Sequence, residues 1–349
     1  LSGSFIYSRP SNQVQKSPPE FDFMLKFLPR GENMPAKVIL NPYAGRWKAL
    51  QMRPQLEAEL NKAGIEFELI QTQGPRHGIE LAAQATRAGY SPILSAGGDG
   101  SISEVVNGIV QASLEQGTPP PAIGVLPMGT ANDLMVNLKL PLDLPGAVQV
   151  IAAGRTRLLD LGQVTAWDLS EKSSITRYFD NNSAIGMEPN VTLEQQKIKW
   201  LRGTLRYLLA TIIAIARNPQ WTIHLQWPGG EYHGPCTLVT AGNNPLTGGL
   251  FYMAPHADPY DGLLSIVYGS MPTRRQILKL LPRTMKPGAG SYVEHPDIHE
   301  INVDQLTLST DQPTPVHADG EIMFEQTRRV EYQILRRYLP IFVNEHSPN

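Results

Sequence analysis

The stretch Ser95-Ala-Gly-Gly-Asp-Gly-Ser101 decides the fold of the first half of the chain. It follows a short apolar run, Pro92 to Leu94, that predicts a buried strand. The residues after it have the spacing of one apolar helix face: Ile102, Val105, Val106 and Ile109. A glycine-rich turn between a strand and a helix presents backbone N–H groups to an anion. The stretch therefore predicts an anion-binding turn at the end of a strand.

Asp99 lies in the middle of this turn, among Gly97, Gly98 and Gly100. Its carboxylate would repel a bare phosphate, so it fits there with a metal ion between the two groups or as a proton acceptor. The glycines are expected because phosphates approach the main chain closely and because some turns of this kind require positive φ. The alternative is a plain strand-to-helix turn in which Ser101 is the N-cap and Glu104 closes a capping box.

The composition is that of an ordinary globular protein. The chain has 349 residues, 41% hydrophobic and 18% charged, which is enough for two domains with proper cores. The formal net charge of −2 argues against a dedicated nucleic-acid binder, and the single cysteine, Cys236, excludes an intrachain disulfide. No run approaches the ~18 apolar residues of a spanning helix. We therefore expect a cytoplasmic protein, at most peripheral to the inner face of the membrane.

Strands and helices alternate in the first half of the chain. Residues 1–35 are rich in Ser, Pro, Asn and Gln and are predicted to be a largely disordered extension with one apolar cluster, Phe21 to Leu28. The alternation that follows predicts a mainly parallel, three-layer sheet with right-handed crossovers. Its strands are predicted at Lys37–Asn41, Ile65–Ile70, Ile93–Leu94 and Ala122–Leu126, and its second and third helices at Gly78–Arg87 and Ser101–Gln111.

The turns after three of these strands should come together in space. They span residues 41–45, 97–101 and 127–133. Ligands of parallel sheets bind at the carboxyl ends of the strands, which is where all three turns fall. We therefore expect one ligand site built from the three turns.

The pattern changes after Asp160. Short strands separated by turn residues indicate a mainly antiparallel second domain, a sandwich. Two basic and apolar helices interrupt it, at Thr192–Arg217 and at about Thr273–Leu281, and strand-like residues return from Arg329 to Val343. The predicted strands of the sandwich are Trp221–Trp227, Gly234–Ala241, Gly262–Tyr268 and Ile301–Ser309.

Two turns of the first half resemble the Asp99 turn in their chemistry. In Leu126-Pro-Met-Gly-Thr-Ala-Asn-Asp133, Gly129 and the Thr130 hydroxyl can bind phosphate, while Asn132 and Asp133 can hold a metal or a ribose. The alternative is a helix cap, because Thr130 and Asp133 have capping-box spacing. The turn Asn41-Pro-Tyr-Ala-Gly45 follows the first strand and is weaker evidence by itself.

Two acidic turns in the second half are further candidates. Asp258 and Asp261 lie in a turn whose oxygen-rich composition suits Mg²⁺, with a solvated Asp-Gly hairpin turn as the alternative. His317-Ala-Asp-Gly-Glu321 places two acids around one glycine, which can supply a base and a metal ligand, or again form a hairpin turn.

Taken in order, these motifs resemble the diacylglycerol kinase catalytic superfamily, particularly its soluble bacterial lipid kinases, with sphingosine and ceramide kinases as relatives. The resemblance runs from about Lys37 to Val343. Gly-Gly-Asp-Gly alone is shared with NAD kinases and 6-phosphofructokinases, so the later motifs carry the specificity. The series is Asn41-Pro-x-x-Gly45, Gly97-Gly98-Asp99-Gly100, Pro127-x-Gly129-Thr130-x-Asn132-Asp133, x-Asp261-Gly262-x-Leu264 and Asp319-Gly320-Glu321.

The resemblance implies an α/β fold with two domains and an active site between them. The first is a three-layer, parallel-sheet ATP-binding domain over residues 36–160, to which residues 327–343 return. The second is a mainly antiparallel β-sandwich that takes the lipid substrate, over residues 161–326. The residues that would bind ATP are Asn41, Gly45, Thr72, Gly97, Gly98, Asp99, Gly100, Ser101, Gly129, Thr130, Asn132 and Asp133.

The resemblance also implies roles for the acidic residues. Asp99, Asp133 and Glu321 would organise Mg²⁺ and the phosphates, with Asp160 as a further member of the network. Asp319 is the first candidate for the general base, and Asp99 is its rival. The ligands of a second, structural Mg²⁺ would be Asp258, Asp261 and the carbonyl of Leu263.

The chain departs from the family pattern at three places. Ser101 stands where threonine is usual, which keeps a hydroxyl, and Ala131 replaces a frequent glycine. Val136-Asn137 stands where many members have Ala-Arg. The missing arginine affects the detail of acceptor or nucleotide contact rather than the class.

The expected activity is transfer of the γ-phosphoryl group of ATP to the hydroxyl of a glycerolipid, with diacylglycerol as the first choice and phosphatidic acid as the product. One alternative is an NAD kinase-like small-molecule kinase, against which the turn containing Asn132 and Asp133 argues. Another is a catalytically degenerate, lipid-binding regulatory protein, against which the retained Asp99, Asp133, Asp319 and Glu321 argue. The sequence identifies neither the lipid nor the oligomeric state, and a homodimer is one option.

The lipid partner requires access to a membrane surface. Basic residues beside apolar ones could supply an interfacial face on either of the two predicted helices of the second domain. The alternative is that both are ordinary amphipathic helices covering the sandwich. The cations concerned are Lys197, Lys199, Arg202 and Arg206 on the first helix and Arg274, Arg275 and Lys279 on the second.

Overall fold

The computed structural model describes residues 34–198, 200–201, 203–217 and 220–344. The predicted extension up to residue 33, with its apolar cluster at Phe21 to Leu28, lies outside the described residues, and so do Lys199 and Arg202. Within the described ranges, none of the helices combines the length and the hydropathy that a membrane crossing requires.

The first half forms a parallel sheet. Its strands, in spatial order, are Phe67–Gln71 (β2), Ala36–Leu40 (β1), Ile93–Gly97 (β3) and Ile123–Pro127 (β4). Strands β3 and β4 are buried at every position, as strands covered on both faces by helices should be. The predicted parallel α/β architecture is confirmed. The elements are β1 Ala36–Leu40, α1 Lys48–Lys62, β2 Phe67–Gln71, α2 His77–Arg87, β3 Ile93–Gly97, α3 Asp99–Gln116 and β4 Ile123–Pro127.

The second half is mainly antiparallel and forms the predicted sandwich lobe. Two short helices lead into it, α4 Asp133–Asn137 and α5 Leu144–Ala152. The remaining elements are β5 Thr156–Trp167, β6 Ser174–Phe179, β7 Asn182–Gly186, α6 Met187–Lys197, α7 Gly203–Arg217, β8 Trp221–Trp227, β9 Gly230–Cys236, β10 Leu238–Gly242, β11 Leu246–Thr247, β12 Phe251–Tyr252, β13 Leu264–Gly269, α8 Arg274–Leu280, β14 Ile298–Val303, β15 Gln305–Ala318 and β16 Glu321–Phe342.

Three predicted elements of this lobe are wrong in their extent. The predicted strand Gly234–Ala241 is divided between β9 and β10, and Ile301–Ser309 is divided between β14 and β15. The single helix predicted over Thr192–Arg217 is two helices, α6 and α7. Ile198 ends α6 with extended backbone, although the apolar periodicity continues through the break. Periodicity marks which residues are buried, but it does not show where the chain changes direction.

Strands β5 and β16 pass through both lobes. They pair antiparallel from Val330 opposite Ala166 to Phe342 opposite Thr156, and Ile341 of β16 also pairs in parallel with Ile123 of β4. The two lobes therefore share one continuous sheet. The proposed boundaries at residues 35, 160 and 326 stay predictions.

Asp160 fastens these two strands where their pairing is interrupted, between Leu335 and Leu339. The side chain is fully buried, and its Oδ1 accepts a hydrogen bond from the N–H of Arg337, which has a left-handed backbone with φ of 47°. Its Oδ2 accepts from the N–H of Gly262 at 2.7 Å. One carboxylate thus satisfies two backbone donors that the irregular strand and the neighbouring loop leave unpaired.

Replacing Asp160 should destabilise the protein through these donors. In Asp160→Ala both N–H groups lose their acceptor, so we expect the free energy of unfolding to fall by about 3 kcal/mol in urea denaturation. The control is Asp261→Ala, an exposed carboxylate whose Oδ1 accepts one turn hydrogen bond from Leu263, and it should cost less than about 1 kcal/mol. Equal losses in the two variants would contradict this role of Asp160.

Candidate active site

Two glycine turns touch each other at the carboxyl edge of the parallel sheet. A Cβ atom on Gly129 would lie 2.4 Å from Cα of Gly98, and one on Gly98 would lie 3.0 Å from Cα of Gly129. Neither glycine has a positive φ. The expectation that glycines of the Asp99 turn are needed partly for positive φ is wrong, because none of Gly97, Gly98 and Gly100 has one. At Gly98 the close approach of a second backbone requires glycine instead. Gly45, which has φ of 58°, is the glycine of the site that needs the left-handed conformation.

The capping-box interpretations of both turns are wrong. Helix α3 begins at Asp99 with Gly98 as its N-cap, and Ser101 Oγ accepts a hydrogen bond from Asn41 Nδ2 at 2.9 Å. Glu104 accepts from the backbone N–H groups of Arg76 and Gly78, each at 2.8 Å. These side chains connect separate turns of the site rather than cap their own helix.

The second turn is also built differently from a capping box. The N-cap of α4 is Asn132, in the left-handed region with φ of 56°, and its own side chain does not cap the helix. Thr130 and Asp133 therefore do not cap one another. Asp133 is the first residue of α4, and its carboxylate accepts hydrogen bonds elsewhere.

A cavity of about 710 Å³ lies over these turns. Most residues predicted to bind ATP line it, and Glu321 joins them from the second lobe. Gly97, Asn132 and Asp133 lie outside its lining. Tyr43 and Trp47 form part of its wall, with ring centroids 5.5 Å apart. Tyr43 belongs to the predicted turn 41–45, whereas Trp47 lies outside every predicted turn. The predicted residues in the lining are Asn41, Gly45, Thr72, Gly98, Asp99, Gly100, Ser101, Gly129 and Thr130.

Asp99 and Asp133 are held by backbone donors. Asp99 Oδ2 accepts from the N–H of Asn132 at 2.9 Å. The oxygens of Asp133 accept from the N–H groups of Gly248 and Gly249 at 2.6 and 2.7 Å. Burial raises the pKa of Asp99, and burial together with the charge of Asp99 raises the pKa of Asp133 to about 7.

Asp319 occupies the tip of the hairpin between β15 and β16. It has a left-handed backbone with φ of 45°, followed by Gly320 with φ of 76°, so the hairpin-turn interpretation is correct. The carboxylate nevertheless points inward and accepts hydrogen bonds from three backbone N–H groups, those of residues 180, 181 and 182, at 3.1 Å each. Burial raises the pKa of Asp319 to about 7.

Asp180 is a site residue that the sequence reasoning missed. It is buried between β6 and β7, and burial together with the charges of Asp319, Asp99 and Asp133 raises its pKa well above the usual range. The side-chain amides of Asn243 and Asn244 donate to its backbone carbonyl at 2.9 and 2.8 Å. The available signal was the polar run 180–182 directly after the apolar end of β6.

The groove itself has acidic walls, with Asp99, Glu104 and Glu321 as its charged lining residues. Two arginines lie near these acids. Burial and the charge of Glu104 raise the pKa of Glu321, and the positive charges of Arg177 and Arg76 offset part of this rise. Strand β6 is held against α3 by Asn107, whose side chain exchanges two hydrogen bonds with the backbone of Tyr178, at 2.8 and 2.9 Å. This places Arg177 beside Glu104, one turn earlier on α3.

The donor set beside the Asp99 turn fits a magnesium ion. Asp99 Oδ1, Asn132 Oδ1 and Asp180 Oδ2 are buried oxygens without a hydrogen-bond partner among the described residues. Mg²⁺ prefers oxygen ligands and keeps several waters, so it needs only one or two carboxylates from the protein. In the described ranges, no three His, Cys, Asp or Glu side chains lie close enough to chelate one ion together.

The fit is weaker at the turn that contains Asp258 and Asp261. Asp258 Oδ1 and Asp261 Oδ1 each accept a hydrogen bond from a backbone N–H of their own turn, those of Tyr260 and Leu263, at 3.0 and 2.8 Å. Both oxygens of Asp160 are also engaged by backbone donors. The structural Mg²⁺ site stays a prediction, as does the part of Asp160 in the phosphate network.

A second, apolar cavity of about 70 Å³ lies in the sandwich lobe beneath α6, α7 and α8. Its wall contains one buried acid, Glu188, whose oxygens accept from Asn182 Nδ2 at 2.7 Å and from Thr240 Oγ1 at 2.9 Å. His317 Nε2 lies 3.4 Å from the same carboxylate. Because the N–H of Asn182 donates to Asp319, one residue connects this cavity with the buried carboxylates.

A parallel-sheet lobe with paired glycine turns, joined to a β-sandwich, defines a kinase-like protein. Residues 35–164 match the diacylglycerol kinase catalytic domain, and residues 182–342 match the YegS C-terminal NAD kinase beta sandwich-like domain. The chain belongs to the diacylglycerol kinase catalytic superfamily. Its kinase-family fold implies the use of ATP.

Individual relatives agree with this membership. A Staphylococcus carnosus protein named diacylglycerol kinase is 26% identical over 287 residues, covering 82% of this chain and 88% of the relative. One from Staphylococcus aureus strain MRSA252, with the same name, is 25% identical over 320 residues, covering 90% and 95%. A crystal structure of a diacylglycerol kinase from Bacillus anthracis has 16% identity and a TM-score of 0.66, covers 90% of this chain and 98% of that one, and so supports the fold.

The contact between the glycine turns can be tested against an open glycine of the same site. In Gly129→Ala the new methyl must displace the Gly98 backbone, so we expect the free energy of unfolding to fall by about 1–3 kcal/mol and ATP affinity to fall with it. A Cβ on Gly100 would meet nothing within 4 Å, and alanine favours a helix more than glycine does, so Gly100→Ala should be at least as stable as the parent. Thermal unfolding and calorimetric ATP titration measure both effects, and an unaltered Gly129→Ala protein would contradict the packing argument.

The buried carboxylates should make the stability of the metal-free protein depend on pH. The folded chain raises the pKa of Asp133 and Asp319 to about 7, so it binds protons more tightly than the unfolded chain, whose carboxyls titrate near 4. The free energy of unfolding should therefore decrease as the pH rises from about 5 to 7. Urea titrations in a chelator should show a smaller decrease for Asp133→Asn and the parental decrease for Glu325→Gln, a neutralised exposed acid.

Proposed function

We propose that the protein transfers the γ-phosphoryl group of ATP to the hydroxyl group of a glycerolipid, with diacylglycerol as the acceptor and phosphatidic acid as the product. The observation that carries this proposal is the position of the buried carboxylates. They extend from Asp99 in the nucleotide groove to Asp319, which Asn182 connects to the wall of the apolar cavity. A polar donor site and an apolar acceptor site thus meet at one set of acids.

The groove has the backbone donors and the oxygen ligands that a nucleoside triphosphate with Mg²⁺ requires. The two glycine turns bring backbone N–H groups of neighbouring segments to its floor, where they can bind phosphate oxygens. Asp99 Oδ1 and Asn132 Oδ1 would hold Mg²⁺ there, which when bound offsets the charge that develops on the phosphoryl oxygens. Arg177 and Arg76 add positive charge beside Glu321 and Glu104, so the acidic wall does not act alone on the anionic substrate.

Asp319 is the residue best placed to accept the proton of the lipid hydroxyl. In the transfer, the hydroxyl oxygen bonds to the γ-phosphorus, the bond from phosphorus to the β–γ bridging oxygen breaks, and ADP leaves. A pKa of about 7 suits a base at neutral pH. Asp99, the rival, belongs to the nucleotide side, because it lines the groove and bonds to Asn132.

Replacing the base should abolish transfer while the nucleotide still binds. Asp319→Asn keeps the size of the side chain and removes the proton acceptor, so we expect the rate to fall by ~10²–10⁴-fold. The assay follows label from [γ-³²P]ATP into a panel of lipids in mixed micelles with Mg²⁺, and into NAD. Glu325→Gln, a neutralised acid on the same strand β16, should keep the parental rate.

Three outcomes of this assay would contradict the proposal. Label in NAD would assign the protein to the small-molecule kinases instead. ATP binding without label in any acceptor would favour a lipid-binding regulatory protein. Full activity in Asp319→Asn, together with an inactive Asp99→Asn, would transfer the role of base to Asp99.

A further inference from the structure

The helices that cover the apolar cavity have an apolar outer face. Trp200, between α6 and α7, is 74% exposed, and Leu205 on α7 is 66% exposed. Ile212 lies two turns further along α7 and is 46% exposed, while Leu278 on the neighbouring α8 is 49% exposed. We call these four residues the outer apolar face. A surface helix usually carries polar residues on the side away from the core, so this pattern requires an explanation.

The inner side of the same helices lines the cavity. Thr211 of α7 and Ile277 and Leu280 of α8 contribute to its wall, next to Met187, Met253 and Met271. One layer of helices therefore separates the outer apolar face from the apolar interior. The methionines are adaptable side chains, which suits a cavity whose present volume of about 70 Å³ must grow to admit an acyl chain.

The charged residues around the face differ between its two helices. Lys197 and Arg217 both pair with Glu194, at 2.7 and 2.6 Å, and Arg206 donates to the carbonyl of Gln195 at 2.7 Å. Arg217 and Arg206 hold α7 to α6, whereas Lys197 pairs within α6. Because these side chains are engaged within the protein, the interfacial role expected of Lys197 and Arg206 stays a prediction. Lys199 and Arg202 lie outside the described residues.

Helix α8 carries exposed cations that a binding partner could contact. Arg274, Arg275 and Lys279 are exposed on either side of Leu278. Among the residues that the structure describes, none of the three side chains forms an ion pair or a hydrogen bond. The outer apolar face is thus bordered by unpaired positive charge on one side.

We propose that the outer apolar face docks on an anionic lipid bilayer, with the α8 cations at the headgroups, and that the lipid enters the cavity through the helical layer beneath. This deepens the proposed function, on which the choice of a lipid partner rests. Exposed aromatic and aliphatic groups insert at the boundary between headgroups and acyl chains, while cations bind anionic headgroups. The position of the face over the apolar cavity and the unpaired cations both favour a membrane over a protein partner.

Sedimentation of the full chain with vesicles tests the proposal without ATP. We expect binding to vesicles of phosphatidylglycerol and phosphatidylcholine that weakens with salt, and little binding to phosphatidylcholine alone. The double variant Leu205→Ser and Leu278→Ser should bind about tenfold or more weakly. Its matched control replaces two leucines of similar exposure elsewhere, Leu142→Ser and Leu169→Ser, at 53% and 50%, and should bind like the parent.

The cations are tested separately. Each of Arg274→Ala, Arg275→Ala and Lys279→Ala should weaken binding to anionic vesicles about fivefold. Lys172→Ala and Arg328→Ala, which remove exposed cations elsewhere, should not. All substituted side chains are exposed, and parental thermal unfolding of each variant confirms that it has folded.

Several results would overturn the docking face. These are vesicle binding that the face variants do not reduce, equal losses in the matched controls, and a dimer in sedimentation velocity that Leu205→Ser with Leu278→Ser dissociates. The last result would make the face a contact between two copies of the chain.

Activity measurements separate this inference from the proposed function. Face variants should phosphorylate a short-chain diacylglycerol dissolved as monomers at the parental rate, and lose activity only on long-chain diacylglycerol in anionic vesicles. Vesicle binding through the face without label in any lipid would retain the docking face and remove the lipid-kinase proposal. Label in the dissolved diacylglycerol without vesicle binding would do the reverse.

Discussion

Four carboxylates repel one another, and the structure depends on how this repulsion is offset: Asp133 and Asp180 are buried, and Asp99 and Asp319 are partly buried. Three of them accept backbone N–H groups from segments distant in sequence. Asp133 binds the turn after β11, Asp319 binds the turn between β6 and β7, and Asp99 binds the turn that precedes α4. The contact of Asp133 connects the two lobes, whereas Asp99 and Asp319 each join two separate segments of one lobe.

Burial raises the pKa of each of these acids. A carboxylate without water favours the protonated form unless donors or a cation compensate it, which is why their pKa values are raised. Asp99 and Asp180 each keep one buried oxygen without a partner among the described residues. A site of this kind can bind a cation, and without a cation its acids lower the stability of the folded protein. The burial that reduces stability is therefore the same burial that allows the site to bind a cation.

Much of this arrangement could be predicted from the sequence, because it is encoded locally. Alternating strands and helices predicted the parallel sheet, and glycines around Asp99 and Gly129 predicted turns at its carboxyl edge. What failed depends on tertiary contacts. The carboxylate of Glu104 serves another helix, Asp180 acquires its role through three other acids, and the break between α6 and α7 leaves the apolar periodicity unchanged. The spacing of residues along the chain does not predict which distant residues they contact.

The two lobes are joined by strands of one sheet. Strands β5 and β16 cross from one lobe to the other inside a single sheet, and their pairing is interrupted only between Leu335 and Leu339, where Asp160 holds both sides. Away from this interruption the two strands are tied together by ladder hydrogen bonds, so the interruption is where the sheet is least constrained by its own backbone. A single side chain, that of Asp160, supplies the connection between the strands at that point.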